Sequence, residues 1–159
     1  MVLPIREGDI PGIQLRVRRP LRIDRDQAWR WLTEPGRVER WLADRAEIEP
    51  GEHGRLVLER ASARTGERVI EIGRTERWNA GRSWALSFRR DDPRWEAPTR
   101  LELSVLDAGD GPLIDVFHAG FHRLAMSACL TIWEEYRRHW RQALERLDQV
   151  SAGAPGVNR

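Results

Sequence analysis

The chain has 159 residues, of which 40% are hydrophobic and 33% are charged. This length suits one domain with a buried core and would be cramped for two, and the composition is typical of a globular rather than a disordered protein. The N-terminal segment lacks the apolar run of a signal peptide, and no segment approaches the length of a membrane span. We therefore expect a cytoplasmic protein that does not bind membranes.

The charge pattern argues against a nucleic-acid partner. All 27 basic residues are arginine, and 25 acidic residues are interleaved with them, so the formal net charge is only +2. Nucleic-acid-binding domains concentrate their basic residues on one face, whereas a mixture of both signs along the chain is typical of a solvated surface. The arginines therefore predict a self-compensating surface and no bound nucleic acid.

The N-terminal part of the chain predicts one strand and two short helices. Apolar and charged residues alternate over residues 13–23, which indicates a half-buried strand. Asp24 follows as a plausible N-cap for a helix over residues 25–32. Pro35 interrupts this helix, since proline is excluded from a helix interior, and a second short helix is predicted over residues 37–42.

The middle of the chain reads as short strands separated by turn residues. The predicted strands cover residues 45–49, 55–60, 68–77, 83–89, 99–106 and 113–118. Alternation is clear at Trp84, Leu86 and Phe88, and again at Leu101 and Leu103. Short loops with a period of two residues are typical of an antiparallel meander with one face in water.

The last segment changes to a helical period. From position 125 to position 150 the apolar residues fall on one arc, about 120° wide at helical spacing. They are Ala125, Met126, Cys129, Ile132, Trp133, Tyr136, Trp140, Ala143, Leu144, Leu147 and Val150. We therefore predict an N-terminal extension over residues 1–12, a single domain over residues 13–150 that ends in this helix, and a disordered tail over residues 151–159.

Five short motifs follow one another along the chain: RDQAWRWLTEP at 25–35, VERW at 38–41, GRTE at 73–76, HAGF at 118–121 and WRQALERL at 140–147. In this order they resemble the SRPBCC superfamily of START-like, helix-grip proteins, and in particular its branch named after the activator of the heat-shock protein 90 ATPase. The resemblance implies an α+β fold in which a curved antiparallel sheet of about seven strands wraps round the long C-terminal helix, with two short helices after the first strand.

The resemblance also sets the functional alternatives. Superfamily members enclose a cavity between sheet and helix, and use it for lipids, polyketides or hormones. We expect this chain to bind a small, largely hydrophobic or aromatic molecule there, with self-resistance to a natural product as a special case. A co-chaperone module of the heat-shock protein 90 activator type and a polyketide cyclase or aromatase remain alternatives, because fold alone does not determine function. We expect no cofactor, a monomer or weak homodimer, and binding rather than catalysis.

The candidate ligand contacts are the large side chains on the two faces expected to meet. They are Trp84, Phe88, Leu103, His118, Trp133, Tyr136 and Trp140. Such residues either fill the core or line a ligand slot, and the sequence leaves both possibilities open. A buried Tyr136 needs a hydrogen-bond partner, either a ligand or a backbone carbonyl, and in the cyclase alternative Tyr136 and His118 would be the acid–base groups.

Three further residues have simpler expected roles. His118 and His122 have a spacing that metal ligands can use, but neither a carboxylate nor a cysteine completes the set, so no metal is predicted. Cys129 is the only cysteine and is expected to be a buried structural thiol. Glu71 is expected to face solvent from its strand, although in a cyclase it could act as a base.

Overall fold

The computed structural model describes residues 4–153. Strands and helices follow one another in the predicted order. They are β1 (Gln14–Pro20), α1 (Arg25–Thr33), α2 (Pro35–Val38), β2 (Arg45–Ile48), β3 (Arg55–Ala61), β4 (Arg68–Asn79), β5 (Ser83–Arg90), β6 (Thr99–Asp107), β7 (Pro112–Ala119), a 3₁₀ turn (Phe121–Arg123) and α3 (Cys129–Gly153).

The seven strands form one antiparallel sheet in the order β1-β7-β6-β5-β4-β3-β2. The chain order is consecutive from β2 to β7, and β1 pairs with β7 through Leu15 opposite His118 and Val17 opposite Val116. The long helix α3 packs against one face of the sheet, and its buried residues share one hydrophobic core with the inward residues of the strands. The predicted α+β helix-grip fold is therefore confirmed.

The residues at the N-terminal ends of the two short helices determine where each helix begins. The Asp24 side chain caps α1 by accepting a hydrogen bond from the backbone nitrogen of Gln27 at 2.8 Å. The second helix was predicted over residues 37–42, but α2 covers Pro35–Val38. Proline suits the first helical position, because its fixed backbone angle is already helical and its missing N–H needs no partner there. Trp41 is nevertheless buried, as its apolar character suggests.

Helix α3 is shifted toward the C-terminus relative to its predicted span. It begins at Cys129 rather than at residue 125, and Met126, which was placed on the buried stripe, is 92% exposed. It continues to Gly153, so residues 151–153 of the predicted disordered tail are helical, and Ser151 is only 1% exposed. The rest of that tail, residues 154–159, and residues 1–3 of the predicted extension lie outside the described residues.

The described part of the N-terminal extension is anchored to the domain by Asp9. Its carboxylate accepts hydrogen bonds from the backbone nitrogen of Arg16 at 2.9 Å and from Nε of Arg137 at 3.0 Å. The side chain of Asp9 is 1% exposed and that of Arg137 5%. This buried ion pair ties the segment before β1 to α3.

No helix among residues 4–153 is long and apolar enough to cross a membrane.

Candidate functional site

The seven residues predicted to contact a ligand all lie in the core between α3 and the sheet. Each is at most 3% exposed. The rings of Phe88, His118 and Tyr136 pack edge to face, with centroids 5.2 Å apart for Phe88–His118 and 5.3 Å for His118–Tyr136. Trp84 packs instead against Trp78, at 5.4 Å. This close packing favours the core-filling alternative, and a ligand contact by these residues stays a prediction.

The hydrogen bonds of His118 determine its protonation state. Trp140 Nε1 can only donate, and it lies 3.1 Å from His118 Nδ1, so Nδ1 is the acceptor. His118 Nε2 then carries the proton and donates to Thr99 Oγ1 at 2.7 Å. Thr99 Oγ1 in turn donates to the carbonyl oxygen of Phe88 at 2.9 Å. Both ring nitrogens are thus engaged within the core.

Burial keeps this imidazole neutral. It lowers the pKa of His118 to about 3, although the Glu71 carboxylate acts in the opposite direction. A group with this pKa, enclosed by other side chains, is poorly suited to accept a proton from a ligand near neutral pH. The geometry therefore supports the expected role of His118 as a packed, hydrogen-bonded histidine rather than an acid–base group.

Glu71 is 1% exposed, so the expectation that it faces solvent was wrong. Its neighbours of the same parity, Val69 and Thr75, are buried, whereas Ile70 and Ile72 are only half-buried. Strand β4 therefore turns its carboxylate, and not its two isoleucines, toward α3. Apolar residues occur at both parities of this strand, so alternation alone did not identify the inward face.

Arg60 and Tyr136 hold the Glu71 carboxylate. Arg60 donates from Nε and Nη2 to the two carboxylate oxygens at 3.2 and 3.0 Å, and the Tyr136 hydroxyl donates to one of the same oxygens. Burial and the nearby Glu71 charge raise the pKa of Tyr136 well above its ordinary value. Burial alone would lower the pKa of Arg60, but Glu71 raises it overall. The partner of the Tyr136 hydroxyl is thus a carboxylate, and neither a ligand nor a backbone carbonyl.

Arg60 also borders an open groove between α3 and strand β3. Two adjoining cavities of about 400 and 240 Å³ form this groove. Both are lined by Arg60, Ala63, His139 and Gln142, and we call them together the α3–β3 groove. The larger cavity falls within the usual volume range of small-molecule sites, about 300–1,000 Å³. None of the seven predicted ligand contacts lines the groove; Trp133 borders a different cavity beside Leu130.

More positive than negative side chains line the groove. The acidic residues are Glu39, Asp44 and Glu135, and Glu135 is already paired with Arg90. The arginines are Arg40, Arg60, Arg64, Arg138 and Arg146. Guanidinium groups suit carboxylates and other planar or tetrahedral anions, so the groove favours an acidic group.

His139 adds an uncharged polar group to the same groove. Burial lowers the pKa of His139 well below its ordinary value, and the positive charges of Arg60, Arg146 and Arg90 lower it further. The imidazole is therefore neutral near pH 7 and can both donate and accept a hydrogen bond. Its ring contacts those of Tyr136 and Trp140, with centroids 5.7 and 5.2 Å apart.

The residues that border the groove were not among the predicted site residues, although the sequence contains a signal for one of them. Arg60 has the same parity in β3 as Leu56 and Leu58, which are both buried. A charged residue that continues an inward apolar series indicates a buried ion pair or a binding site. His139 has no such signal, because its exposure depends on how far β3 lies from α3.

The two histidines of the predicted pair do not face a common site. His118 is enclosed in the core and His122 is exposed. Among residues 4–153, no group of three or more His, Cys, Asp or Glu side chains is arranged to hold a metal ion. Cys129 was expected to be buried but is only half-buried at the start of α3, where its Sγ donates to the carbonyl oxygen of Met126 at 3.6 Å.

The sequence matches the family described as Activator of Hsp90 ATPase homolog 1-like protein over residues 22–152. The chain belongs to this family. The match covers both short helices, β2 to β7 and nearly all of α3. Among curated proteins, no sequence matches this chain.

Solved structures with the same fold come from several bacteria. A protein from Rhodobacter sphaeroides has a TM-score of 0.73 and 19% identity, over 94% of this chain and 97% of that one. CalU16 from Micromonospora echinospora has a TM-score of 0.66 and 23% identity, over 90% of this chain and 68% of its own. DynU16, a protein of the dynemicin biosynthetic locus, has a TM-score of 0.72 and 11% identity, over 94% of this chain and 51% of its own. At these identities the similarity establishes the fold and not the ligand.

Proposed function

We propose that this family member binds a small organic molecule in the α3–β3 groove, with an acidic group of the ligand at Arg60. The observation that carries the proposal is that two adjoining cavities share the Arg60 guanidinium, which is held in place by its ion pair with Glu71. A side chain that is ordered before binding loses little entropy when a ligand arrives. Glu71 engages Nε and Nη2 of Arg60, and the guanidinium has further N–H donors for a ligand.

The rest of the ligand is proposed to be apolar or aromatic. Trp41, Leu42 and Ala143 border the larger cavity beside its charged residues, and each is at most 7% exposed, so a molecule there meets a mostly polar surface with small apolar areas between the charges. Small-molecule sites commonly combine apolar walls with a few polar groups that fix orientation. The origin of DynU16 in a biosynthetic locus supports natural products as a class to test, including sequestration of a toxic product. The ligand thus differs from the expected one in its acidic group and in lying beside the core rather than within it.

A fluorescence titration with anilinonaphthalene sulfonate, an aromatic anion, tests the site. Ala63 borders both cavities, so Ala63→Trp should fill the groove and abolish binding. Arg146 lines the larger cavity and donates to the Trp41 carbonyl oxygen at 3.0 Å. Arg146→Gln should weaken binding about tenfold, the loss expected when one ion pair with the ligand is removed.

The matched control is Arg141→Gln, on the same helix but not lining either cavity, and it should bind as the wild type does. Binding that survives Ala63→Trp would place the probe elsewhere and contradict the proposal. Native mass spectrometry of the protein from its own host then identifies the natural ligand, because a groove ligand should be absent from the Ala63→Trp protein and present in the control.

The co-chaperone and cyclase alternatives stay predictions. The co-chaperone alternative is supported only by the name of the family. Stimulation of the ATPase activity of a purified chaperone would test it. For the second, the acid–base groups considered were His118, Tyr136 and Glu71, which are each at most 1% exposed. None of them lines the groove, so the groove geometry favours binding over catalysis through these three residues.

A further inference from the structure

The outer face of the sheet, opposite α3, carries arginines that face one another. The register of β3 with β4 places Arg55 directly opposite Arg74, and the register of β4 with β5 places Arg89 opposite Ile72. Directly opposed side chains have Cβ atoms about 5 Å apart, and diagonal neighbours such as Arg74 and Arg89 about 7–8 Å. All three arginines are exposed. We call them, with Val57 and Ile72 between them, the outer arginine face.

These three guanidinium groups lack carboxylate partners within residues 4–153. No acidic side chain there lies within 4.0 Å of any of them. Elsewhere on the same face the arginines are paired, as in Arg100 with Glu76 at 2.9 Å and Arg77 with Glu102 at 3.3 Å. Like charges directly opposite on neighbouring strands destabilise a sheet. The outer arginine face therefore carries three guanidinium groups that are unpaired within the described residues, with the single carboxylate of Glu47 opposite Val57 on the neighbouring strand β2, so positive charge is in excess there.

The aliphatic residues between the arginines indicate what kind of partner could neutralise the positive charge of this face. Val57 and Ile72 are directly opposite each other in the register and are both only half-buried. A phosphate polymer would satisfy the arginines but leave these side chains in water. An acidic segment of a protein that also carries aliphatic residues would pair the charges and cover Val57 and Ile72 together.

We propose that the outer arginine face is a docking surface for an acidic, aliphatic segment of a partner protein. The guanidinium groups of Arg55, Arg74 and Arg89 pair with its carboxylates, and Val57 and Ile72 contact its aliphatic side chains. This surface is on the opposite side of the sheet from α3, so it does not depend on the α3–β3 groove or on any ligand bound there.

Fluorescence anisotropy with a labelled peptide of alternating Glu and Leu tests the proposal. The peptide should bind the wild-type protein, and rising salt should weaken binding because exposed charges are screened. Charge reversal in Arg74→Glu should weaken it by about tenfold or more, since like charges then meet across the interface. The control is Arg123→Ser, in the 3₁₀ turn after β7, which should leave binding unchanged.

Two comparison ligands identify the kind of partner. A Glu and Ser peptide should bind more weakly than the Glu and Leu peptide, because it cannot cover Val57 and Ile72. Heparin should bind no more tightly than the Glu and Leu peptide. Tighter binding of heparin would mean a polyanion surface and would overturn the proposal, as would equal binding of wild type and Arg74→Glu or absence of peptide binding at low salt.

A stability measurement separates docking from a structural role of the arginines. Replacement of Arg55 by threonine, which favours strands, removes the opposed charges and should raise the melting temperature of the free protein by about 1–4 °C while weakening peptide binding. A lower melting temperature would show that Arg55 stabilises the sheet, and the inference of uncompensated charge would then be wrong.

Discussion

His118 should make the stability of this protein depend steeply on pH in mildly acidic solution. Its folded-state pKa of about 3 lies below the ordinary value of 6.5. As the pH falls below about 6.5, the unfolded chain therefore gains a proton that the folded protein cannot accept until about pH 3. The linkage relation then requires stability to fall over this window as the solution becomes more acidic.

The size of the effect follows from one proton. A single histidine that is neutral when folded and titrates normally when unfolded removes about 2 kcal/mol of stability between about pH 7 and about pH 5. The His118→Asn variant should lose this dependence, because its amide does not titrate. It should also be less stable at pH 7 by about 1–3 kcal/mol, since Thr99 Oγ1 loses its donor.

Urea unfolding followed by tryptophan fluorescence at several pH values measures both quantities. The other titrating groups contribute to wild type and variant alike, so the difference between their stability–pH curves isolates His118. His122→Asn, which changes an exposed histidine, is the control and should follow the wild-type curve. If wild type and His118→Asn lose stability equally between about pH 7 and about pH 5, His118 is not held neutral and the assigned hydrogen-bond directions are wrong.

Three further substitutions test the core. Glu71→Gln should lower the free energy of unfolding by about 3–5 kcal/mol, because it leaves the buried Arg60 guanidinium without its counter-charge. Urea unfolding measures this change, and a decrease of less than about 1 kcal/mol would refute a buried pair. In the same assay, Tyr136→Phe should lower the free energy of unfolding by about 1.5–3 kcal/mol, which is the contribution of a hydrogen bond to a charged group. Gly73→Ala should lower the melting temperature, because its Cβ would lie 2.5 Å from Leu86 Cδ1 and 2.8 Å from a backbone oxygen; an unchanged value would show that the sheet can open there.

Periodicity predicted most of the fold because each element buries one face. Trp84, Leu86 and Phe88 alternate with smaller or polar residues in β5, and all three are buried. The start of α3 was misplaced because Ala125 and Met126 fit the helical period without being helical. The periodicity of apolar residues predicts which face of a helix is buried. Without a recognisable capping residue it does not show at which residue the helix begins.

The candidate site was harder to predict than the fold because it consists of charged residues on mostly apolar elements. Arg60 and Glu71 belong to different strands and are brought together only by the pairing of β3 with β4. Arg60 shares the parity of the buried leucines of β3, but apolar residues at both parities of β4 gave no reason to place Glu71, the partner that a buried ion pair requires, inward. The aromatic residues were correctly placed inward, but their ring packing depends on side-chain shapes that a sequence pattern does not contain.

The buried carboxylate and the groove are linked through one side chain. Glu71 needs a positive partner because a lone carboxylate in the core would be costly, and Arg60 supplies it from the boundary between core and groove. The same pairing orients the guanidinium that we propose binds the ligand. Glu71→Gln should lower stability, and an anionic ligand should restore part of it by supplying the counter-charge that Arg60 has lost, whereas Tyr136→Phe leaves the Arg60–Glu71 pair intact and should lower stability without changing ligand affinity. A parallel loss of affinity in Tyr136→Phe would mean that the ligand reaches the tyrosine itself and lies deeper than the groove.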